Sequence, residues 1–413
     1  MIVVIEKQTN KLKILNDPIY GFITIPNALI YDLIEHPYFQ RLRRVSQMGL
    51  SYLVYPGAHH TRFHHAIGCM YLMQKAIRIL KFKGVQISEE EENAVYIAIL
   101  LHDIGHGPFS HALENSIVTG VSHETISLKF MEALNEEFSG KLTLAIKIFK
   151  GNYHRNFLYQ LISSQLDMDR LDYLKRDSFY TGVAEGNINS ERIITMLNVK
   201  DDELMVEEKG IYSVEKFIVA RRLMYWQAYL HKAGLGAEKL LEKILKRAKE
   251  LSTHGIKLPA SKSFSYFLCN PITENNFTKE TLKTFSKLDD YDVFSSIKEW
   301  ISNDDIVLST LSENLINRKL PKVKLQNTTF EKDEINEVRK EIKSKMKLSD
   351  EILDYFVYSG EIFNQAYDAT KNNIQILYKD GSVKDISEAS DHLNIQALSN
   401  PVYKYYICYP KNR

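Results

Sequence analysis

The sequence predicts a mainly α protein with small β-hairpins and a C-terminal α+β region. Three observations carry that expectation. Residues 94–101 are apolar nearly all round, the mark of a helix buried inside a protein rather than lying on its surface. Apolar residues recur at helical spacing over 64–82, 126–134, 141–149, 166–174 and 214–251. Strand and turn signals are confined to 1–26, to 203–214 and to the tail beyond 320.

Composition narrows the class. The 413 residues suffice for two or three domains and a sizeable core. With 53 Lys+Arg against 52 Asp+Glu, no global field advertises nucleic-acid binding; only a local basic pocket is left open. Cys69, Cys269 and Cys408 are far apart and form no CxxC, so they read as reduced packing residues of a cytoplasmic protein. The opening Met1-Ile2-Val3-Val4-Ile5-Glu6 looks like a strand and not a signal peptide, and no apolar run reaches membrane-spanning length.

In chain order, residues 1–26 read as strands, with turns at Thr9-Asn10-Lys11 and at Asp17-Pro18-Ile19-Tyr20-Gly21. Asn27 caps a helix, and Pro37 opens another that runs through Val45 with Arg41, Arg43 and Arg44 as a solvated face. Pro56-Gly57 breaks the chain before His59, His60, Arg62, His64 and His65, at the start of a helix over 64–82. Ser88 caps the buried helix, with Glu89 to Glu92 favourable in its first turn. Ser122-His123-Glu124-Thr125 starts a further helix, and 189–197 forms a short one. Residues 203–214 read as a hairpin around Lys209-Gly210, and 214–251 as one long helix. Beyond 253, residues 280–317 read as helical, 320–325 as a strand, 331–345 as a charged helix and 352–357 as a strand. Residues 375–383 form a hairpin with an Asp-Gly turn, and 402–409 a last strand. The division expected is N-terminal strands over 1–26, a core over 27–252 and an accessory region over 253–413.

Two stretches carry chemistry. At the end of the buried helix stand His102, Asp103, His106 and His111, where Gly105, Gly107 and Pro108 stop the helix. His102 and His106 are four apart and share a face, and Asp103 follows His102 by about 100° around the axis, so an adjacent His-Asp pair can converge on one ion. A buried carboxylate beside a histidine is costly unless a partner or metal compensates it. In the second stretch, Asp169, Tyr173 and Asp177 recur every four residues on one helix face with Arg170 beside it. Alone this reads as a helix with surface ion pairs; opposite an apolar face it can line a cleft. On 214–251, Arg221, Tyr225 and Tyr229 share a face, either as core or to hold a phosphate and stack a base.

Taken together, Arg62-Phe63-His64-His65, then His102-Asp103 with Gly105-His106-Gly107-Pro108-Phe109-Ser110-His111, then Asp167-Met168-Asp169-Arg170-Leu171-Asp172-Tyr173 resemble the H…HD…D motif of HD-domain phosphohydrolases. The flanking residues resemble the deoxynucleoside triphosphate (dNTP) triphosphohydrolase, dGTPase-like branch. That branch includes the vertebrate SAM-and-HD-domain enzyme, whose SAM domain has no counterpart here. The resemblance covers about 17–250 and implies a helical HD core. It implies His65, His102, Asp103 and Asp169 as ligands of a divalent transition metal (Fe, Mn, Zn or Ni), with a second ion such as Mg.

The implied reaction is water attack on the α-phosphate of a dNTP, releasing deoxynucleoside and triphosphate. His106, His111 and His123 would lie beside the phosphorus: His111 donates a proton to the departing oxygen, His106 and His123 orient phosphate or the second ion, and Glu124 fixes His123. Substrate contacts map onto Arg62, Arg170, Tyr173, Asp177, Arg221 and Tyr229, with Gln47 and Met48 near the sugar. Arg170 stands where the vertebrate enzyme has a lysine and Tyr225 where it has a histidine, which bears on base preference and triphosphate binding. The resemblance also implies a homo-oligomer, dimer or tetramer, and an activating nucleotide that Arg41 and Arg43 would meet. No membrane or nucleic-acid partner is expected. The alternatives are an HD phosphohydrolase acting on nucleoside monophosphates or phosphodiesters, and a non-catalytic nucleotide- or nucleic-acid-binding module.

Overall fold

The computed structural model describes residues 13–411 apart from 115, 119, 369, 371, 372 and 392–397, and apart from the side chains of His111 and Glu114. The fold is mainly helical. A hairpin, β1 (Ile14–Asp17) and β2 (Gly21–Thr24), turns at Asp17, whose Oδ1 accepts from the backbone of Ile19 and Tyr20 at 2.9 and 3.0 Å. The expected turn at 9–11 lies outside the described residues. Asn27 caps α1 (Ala28–Glu35), accepting from Ile30 N. Pro37 begins α2 (Pro37–Gln40), which tightens into a 3₁₀ turn over Arg41–Arg44.

Three helices then form the centre: α3 (Arg62–Phe82), α4 (Glu89–Leu101) and, after intervening elements, α9 (Met168–Thr181). Helix α4 opens with the Ser88/Glu91 capping box and buries every residue from Ala94 to Leu101, as its all-round apolar sequence requires. It packs on α3, which packs on α9 in turn. Gly68 is what allows the second contact. A Cβ there would stand 2.1 Å from Asp172 Oδ1 and 2.3 Å from the Arg176 guanidinium, so only glycine lets these buried charges approach the α3 backbone.

Between α4 and α9 lie α5 (Ser110–Glu114), α6 (His123–Glu137), capped by Ser122, α7 (Thr143–Phe149) and α8 (Asn156–Gln160). After α9 come α10 (Ser190–Thr195) and a hairpin of β3 (Leu197–Lys200) and β4 (Glu203–Glu207). The expected hairpin over 203–214 is therefore displaced: the turn is Asp201-Asp202, both left-handed (φ 54° and 57°), while Glu208–Gly210 is a 3₁₀ turn leading into α11 (Ile211–Met224). Two adjacent aspartates tolerate the αL conformation that a tight hairpin needs, so they form the turn in place of Lys209-Gly210.

The expected single helix over 214–251 is three pieces. Helix α11 runs into a π-turn at Tyr225–Tyr229, and α12 (Lys232–Thr253) starts after a break at Leu230-His231. Helices α13 (Lys262–Cys269), α14 (Lys279–Phe285), α15 (Asp290–Trp300) and α16 (Ile306–Ile316) follow, then β5 (Lys322–Gln326), α17 (Lys332–Met346) and α18 (Asp350–Leu353). The strand expected at 352–357 is instead the end of α18 and a buried turn; the strand β6 is Tyr358–Asn364. A short β7 (Gln375–Leu377) and β8 (Val383–Asp385), α19 (Ile386–Ala389) and β9 (Val402–Tyr409) complete the chain.

Strands β5, β9 and β6 form one antiparallel sheet, and β7 joins the β3–β4 hairpin in parallel. One buried apolar cluster extends from Ile23 to Ile407, so the tail shares its core with the helices. Among the described residues no helix is long and apolar enough to cross a membrane.

Arg41 corrects a further expectation. It is fully buried, not part of a solvated face. Its guanidinium donates to the Ile104 carbonyl at 2.7 Å and the Leu288 carbonyl at 3.3 Å, and lies over the rings of Phe130 and Phe285. Burial lowers its pKa to about 10. It cannot reach an activating nucleotide. Arg43 is exposed and lies over the Phe63 ring at 3.6 Å.

Candidate active site

The end of α4 and the first turns of α3 and α9 bring four side chains together. His65 Nε2 is 3.0 Å from Asp169 Oδ1 and 3.7 Å from Asp103 Oδ2. His102 Nε2 is 3.4 Å from Asp103 Oδ1 and 3.6 Å from Asp169 Oδ1. His65, His102 and Asp103 are buried, with Asp169 at the mouth. Arg62, the first residue of α3, donates to Asp103 Oδ2 at 2.5 Å.

These residues fit a divalent ion. His65 is held through Nδ1 by Asp172 at 2.8 Å, and His102 Nδ1 by the Ile99 carbonyl at 2.6 Å, so both rings turn Nε2 towards the carboxylates. His102 Nε2 is buried with no hydrogen-bond partner. With its Nδ1–H given to Asp172, His65 sets a second lone pair against Asp169, a contact that only a proton or a cation makes favourable. The separations match those of ligands each about 2.0–2.2 Å from one ion. Burial opposes a charge on His65, but Asp169 and Asp172 outweigh it and hold its pKa well above the usual value. Burial likewise opposes ionising Asp103, yet His102 and the Arg62 guanidinium hold it well below the usual carboxylate range. The Cys69 thiol lies 3.5 Å from His65, but burial pushes its pKa up, so it packs as a neutral group.

A second group adjoins the first. Asp103, His106 and His123 place one donor atom each within 4.8 Å of one another, and the rings of His106 and His123 stack at 3.9 Å. Ser110 Oγ donates to the Gly107 carbonyl at 3.0 Å, so it accepts from His106 Nδ1 at 2.7 Å and leaves Nε2 facing Asp103 at 3.2 Å. Burial and the neighbouring Arg62 keep His106 well below its usual pKa, and a neutral imidazole facing a carboxylate in this way suits a second cation. Helix α6 reaches this point because Gly105 has no Cβ: one would lie 2.2 Å from the His123 carbonyl. Glu124 lies 3.4 Å from His123 Nε2 on the exposed side. The His111 side chain lies outside the described residues.

Above both groups opens a cleft of about 620 Å³. Its lining takes in Gln47, Met48, Arg62, Asp103, His106, His123, Asp169, Arg170, Tyr173, Asp177, Arg221, Tyr225 and Tyr229, while His65 and His102 lie beneath its floor. Asp169, Tyr173 and Asp177 thus do share one face. Tyr229 donates to Asp177 Oδ2 at 2.8 Å, and its ring meets Tyr225 edge-on at 5.3 Å. The π-turn delivers this pair, since it advances the backbone differently from an α-turn just where two tyrosines must face the cleft.

The four histidines at 59–65 divide by task. His60 is buried and bonds Asp177 Oδ1 at 2.6 Å; His64 caps α3 by accepting from Thr61 N at 3.2 Å; His65 joins the group with His102, Asp103 and Asp169; His59 is exposed against Tyr52. Sequence reasoning missed His60. It also missed the role of Asp172, whose carboxylate bridges His65 and Arg176 and is lowered to about 2, against burial, chiefly by Arg176. Arg176 in turn binds Asp17 of β1 at 2.7 Å. The spacing of Asp172 and Arg176 at i and i+4 was the available signal. Asp167 caps α9 and takes both the backbone N–H and the guanidinium of Arg170, which aims that side chain into the cleft.

The chain matches the HD domain over residues 62–177 and the HD associated region over residues 188–259. It is 31% identical to the uncharacterized protein YwfO of Bacillus subtilis over 97% of this chain and 92% of that one. A deoxynucleoside triphosphate triphosphohydrolase SAMHD1 homolog of Dictyostelium discoideum is 32% identical over 61% of this chain, which spans about half (52%) of that relative. The crystal structure of a phosphohydrolase from Bacteroides thetaiotaomicron is 53% identical, covers 97% of this chain and 100% of that one, and superposes with a TM-score of 0.94. A chain with this motif, this helical core and these relatives belongs to the HD-domain phosphohydrolases.

Proposed function

We propose that the protein is a metal-dependent dNTP triphosphohydrolase, converting a dNTP and water into deoxynucleoside and triphosphate. The observation that carries this is the continuity of the cleft. It brings Asp103, Asp169 and His106 into one cavity with three guanidinium groups, Arg62, Arg170 and Arg221, and with Tyr173, Tyr229 and Asp177. A nucleotide attacked at its α-phosphorus needs those chemistries together: metal and base or acid at that phosphorus, a ring and a carboxylate at the adjoining sugar, and cations along the outer phosphates. The SAMHD1 homolog bears the corresponding name.

A divalent ion held by His65, His102, Asp103 and Asp169 would supply Lewis acidity towards a phosphoryl oxygen and acidify water. Arg62, already paired with Asp103, sits where it balances charge that develops on the phosphoryl oxygens. Arg170 and Arg221 hold the outer phosphates. Bond formation between water oxygen and the α-phosphorus and cleavage of the bond to the 5′ oxygen proceed in line; His111 gives the 5′ oxygen its proton, and His106 and His123 orient phosphate or the second ion. Asp177, fixed by His60 and Tyr229, accepts from a sugar hydroxyl.

The test incubates metal-loaded protein with each dNTP, singly and in mixtures, and separates the products. Deoxynucleoside plus triphosphate is expected. Inorganic phosphate or pyrophosphate alone, in every mixture, overturns the reading.

A further inference from the structure

The cleft does not end at its outer arginines. Arg170, Arg221 and Tyr225 also wall a second chamber of about 400 Å³, whose far side is built by the C-terminal region. Phe363, near the end of β6, also lines the chamber; the residue is 62% exposed, and one face of its ring stacks on Tyr403 at 5.7 Å. The neighbouring Asn364 is only 4% exposed, lines the chamber, and has a buried amide oxygen with no hydrogen-bond partner. The Arg221 guanidinium donates to the Ala366 carbonyl at 3.1 Å, which ties this wall to α11, while its Nε and that of Arg170 have no partner. Asp368 adds a carboxylate.

A fourth phosphate is a poor occupant, because it would face the Asp368 carboxylate. A planar, polar-edged ring suits the chamber better: Tyr225 and the Phe363 face turned away from Tyr403 offer surfaces for stacking, and the Asn364 amide offers a paired donor and acceptor. The volume is in the range that holds a nucleoside. We propose that the chamber is a second nucleoside subsite, so that the protein takes 5′–5′ dinucleoside polyphosphates with one nucleoside in each compartment and the phosphates across Arg170 and Arg221. The inference rests on the dNTP reading for the identity of the first compartment. The reaction balances as before: water oxygen bonds to the phosphorus next to the first nucleoside, that phosphorus–5′ oxygen bond breaks, and the 5′ oxygen takes a proton. The products are a deoxynucleoside and a nucleoside polyphosphate.

The test measures binding of a 5′–5′ dinucleoside tetraphosphate carrying two deoxyguanosines, and of deoxyguanosine tetraphosphate, to the full chain without divalent ion, so that nothing turns over. Wild type should prefer the dinucleotide by roughly tenfold. Asn364→Leu and the surface change Phe363→Ala should each abolish that preference and leave affinity for the mononucleotide unaltered. Phe363→Ala keeps the test decisive if the buried change fails to fold. Equal affinity for both ligands, or a preference unchanged in Phe363→Ala, overturns the inference even if dNTPs are hydrolysed. The expected preference in a protein that hydrolyses no dNTP sustains the subsite and removes the dNTP reading alone.

Discussion

Asp172 accepts from His65 Nδ1 at 2.8 Å, and both side chains are wholly shielded from solvent. A carboxylate behind a histidine fixes the ring, sets its tautomer and raises its basicity as a ligand. Asp172→Asn should therefore weaken divalent-metal binding about 10–100-fold. Metal titration followed by calorimetry checks it; affinity within twofold of wild type would mean that Asp172 serves only the Arg176 ion pair.

Arg176 lies between Asp172 and Asp17, all three buried. Removing one member of such a set strands charges away from water. Arg176→Met should cost about 3–5 kcal/mol of stability, read as a lowered denaturant midpoint. The loss should be larger than that from any exposed ion pair, such as Lys279 with Glu136.

Arg41 satisfies the Ile104 and Leu288 carbonyls and so ties the residue after Asp103 to the start of α15. Arg41→Met leaves both carbonyls without this donor, at about 1–3 kcal/mol each. Thermal unfolding should shift down accordingly. Activation by added nucleotide, where it occurs, should survive in the fraction that folds.

Asp290 gives a pH dependence. Its Oδ2 accepts from Ser46 N at 2.8 Å, but burial raises its carboxyl to about 6. The folded state therefore keeps a proton that the unfolded state releases near 4. The stabilising contribution is complete below about pH 4, falls by about 1.4 kcal/mol per pH unit up to 6, and is level above. Asp290→Asn retains the acceptor for Ser46 and should remove that slope. Urea midpoints of the two proteins at pH 4, 5, 6 and 7 provide the comparison; parallel curves would disprove the assignment.

Chelation should remove activity, and added divalent metal should restore it. Asp103→Ala should purify without bound metal, since it deletes the carboxylate that lies between His65, His102 and Arg62. Elemental analysis decides: metal at the wild-type level would show that the ligand set is drawn wrongly.

Much of the site was legible because its signals are local. The buried helix ending in His102-Asp103, the four-residue rhythm of Asp169, Tyr173 and Asp177, and the caps at Asn27, Ser88 and Ser122 all act within a turn or two of chain. The hairpin at Asp201-Asp202 and the π-turn at Tyr225–Tyr229 escaped, although they too are local. There the residues tolerate several backbone conformations, and packing selects one.

What the sequence determined by itself is the helical frame and the types of residue that meet at its centre. The motif singles out His65, but only the tertiary structure decided what the histidines just before it do. His59, His60, His64 and His65 look alike along the chain, yet exposure, Asp177, a helix cap and Asp172 separate them. The same holds for Arg41, which sequence spacing placed in water and packing placed in the core, and for the chamber that Phe363 and Asn364 close over Arg221. The reason is physical. Helix propensity and capping depend on neighbours a few residues away, whereas burial and the pairing of a charge depend on groups that lie tens to hundreds of residues distant until the chain packs.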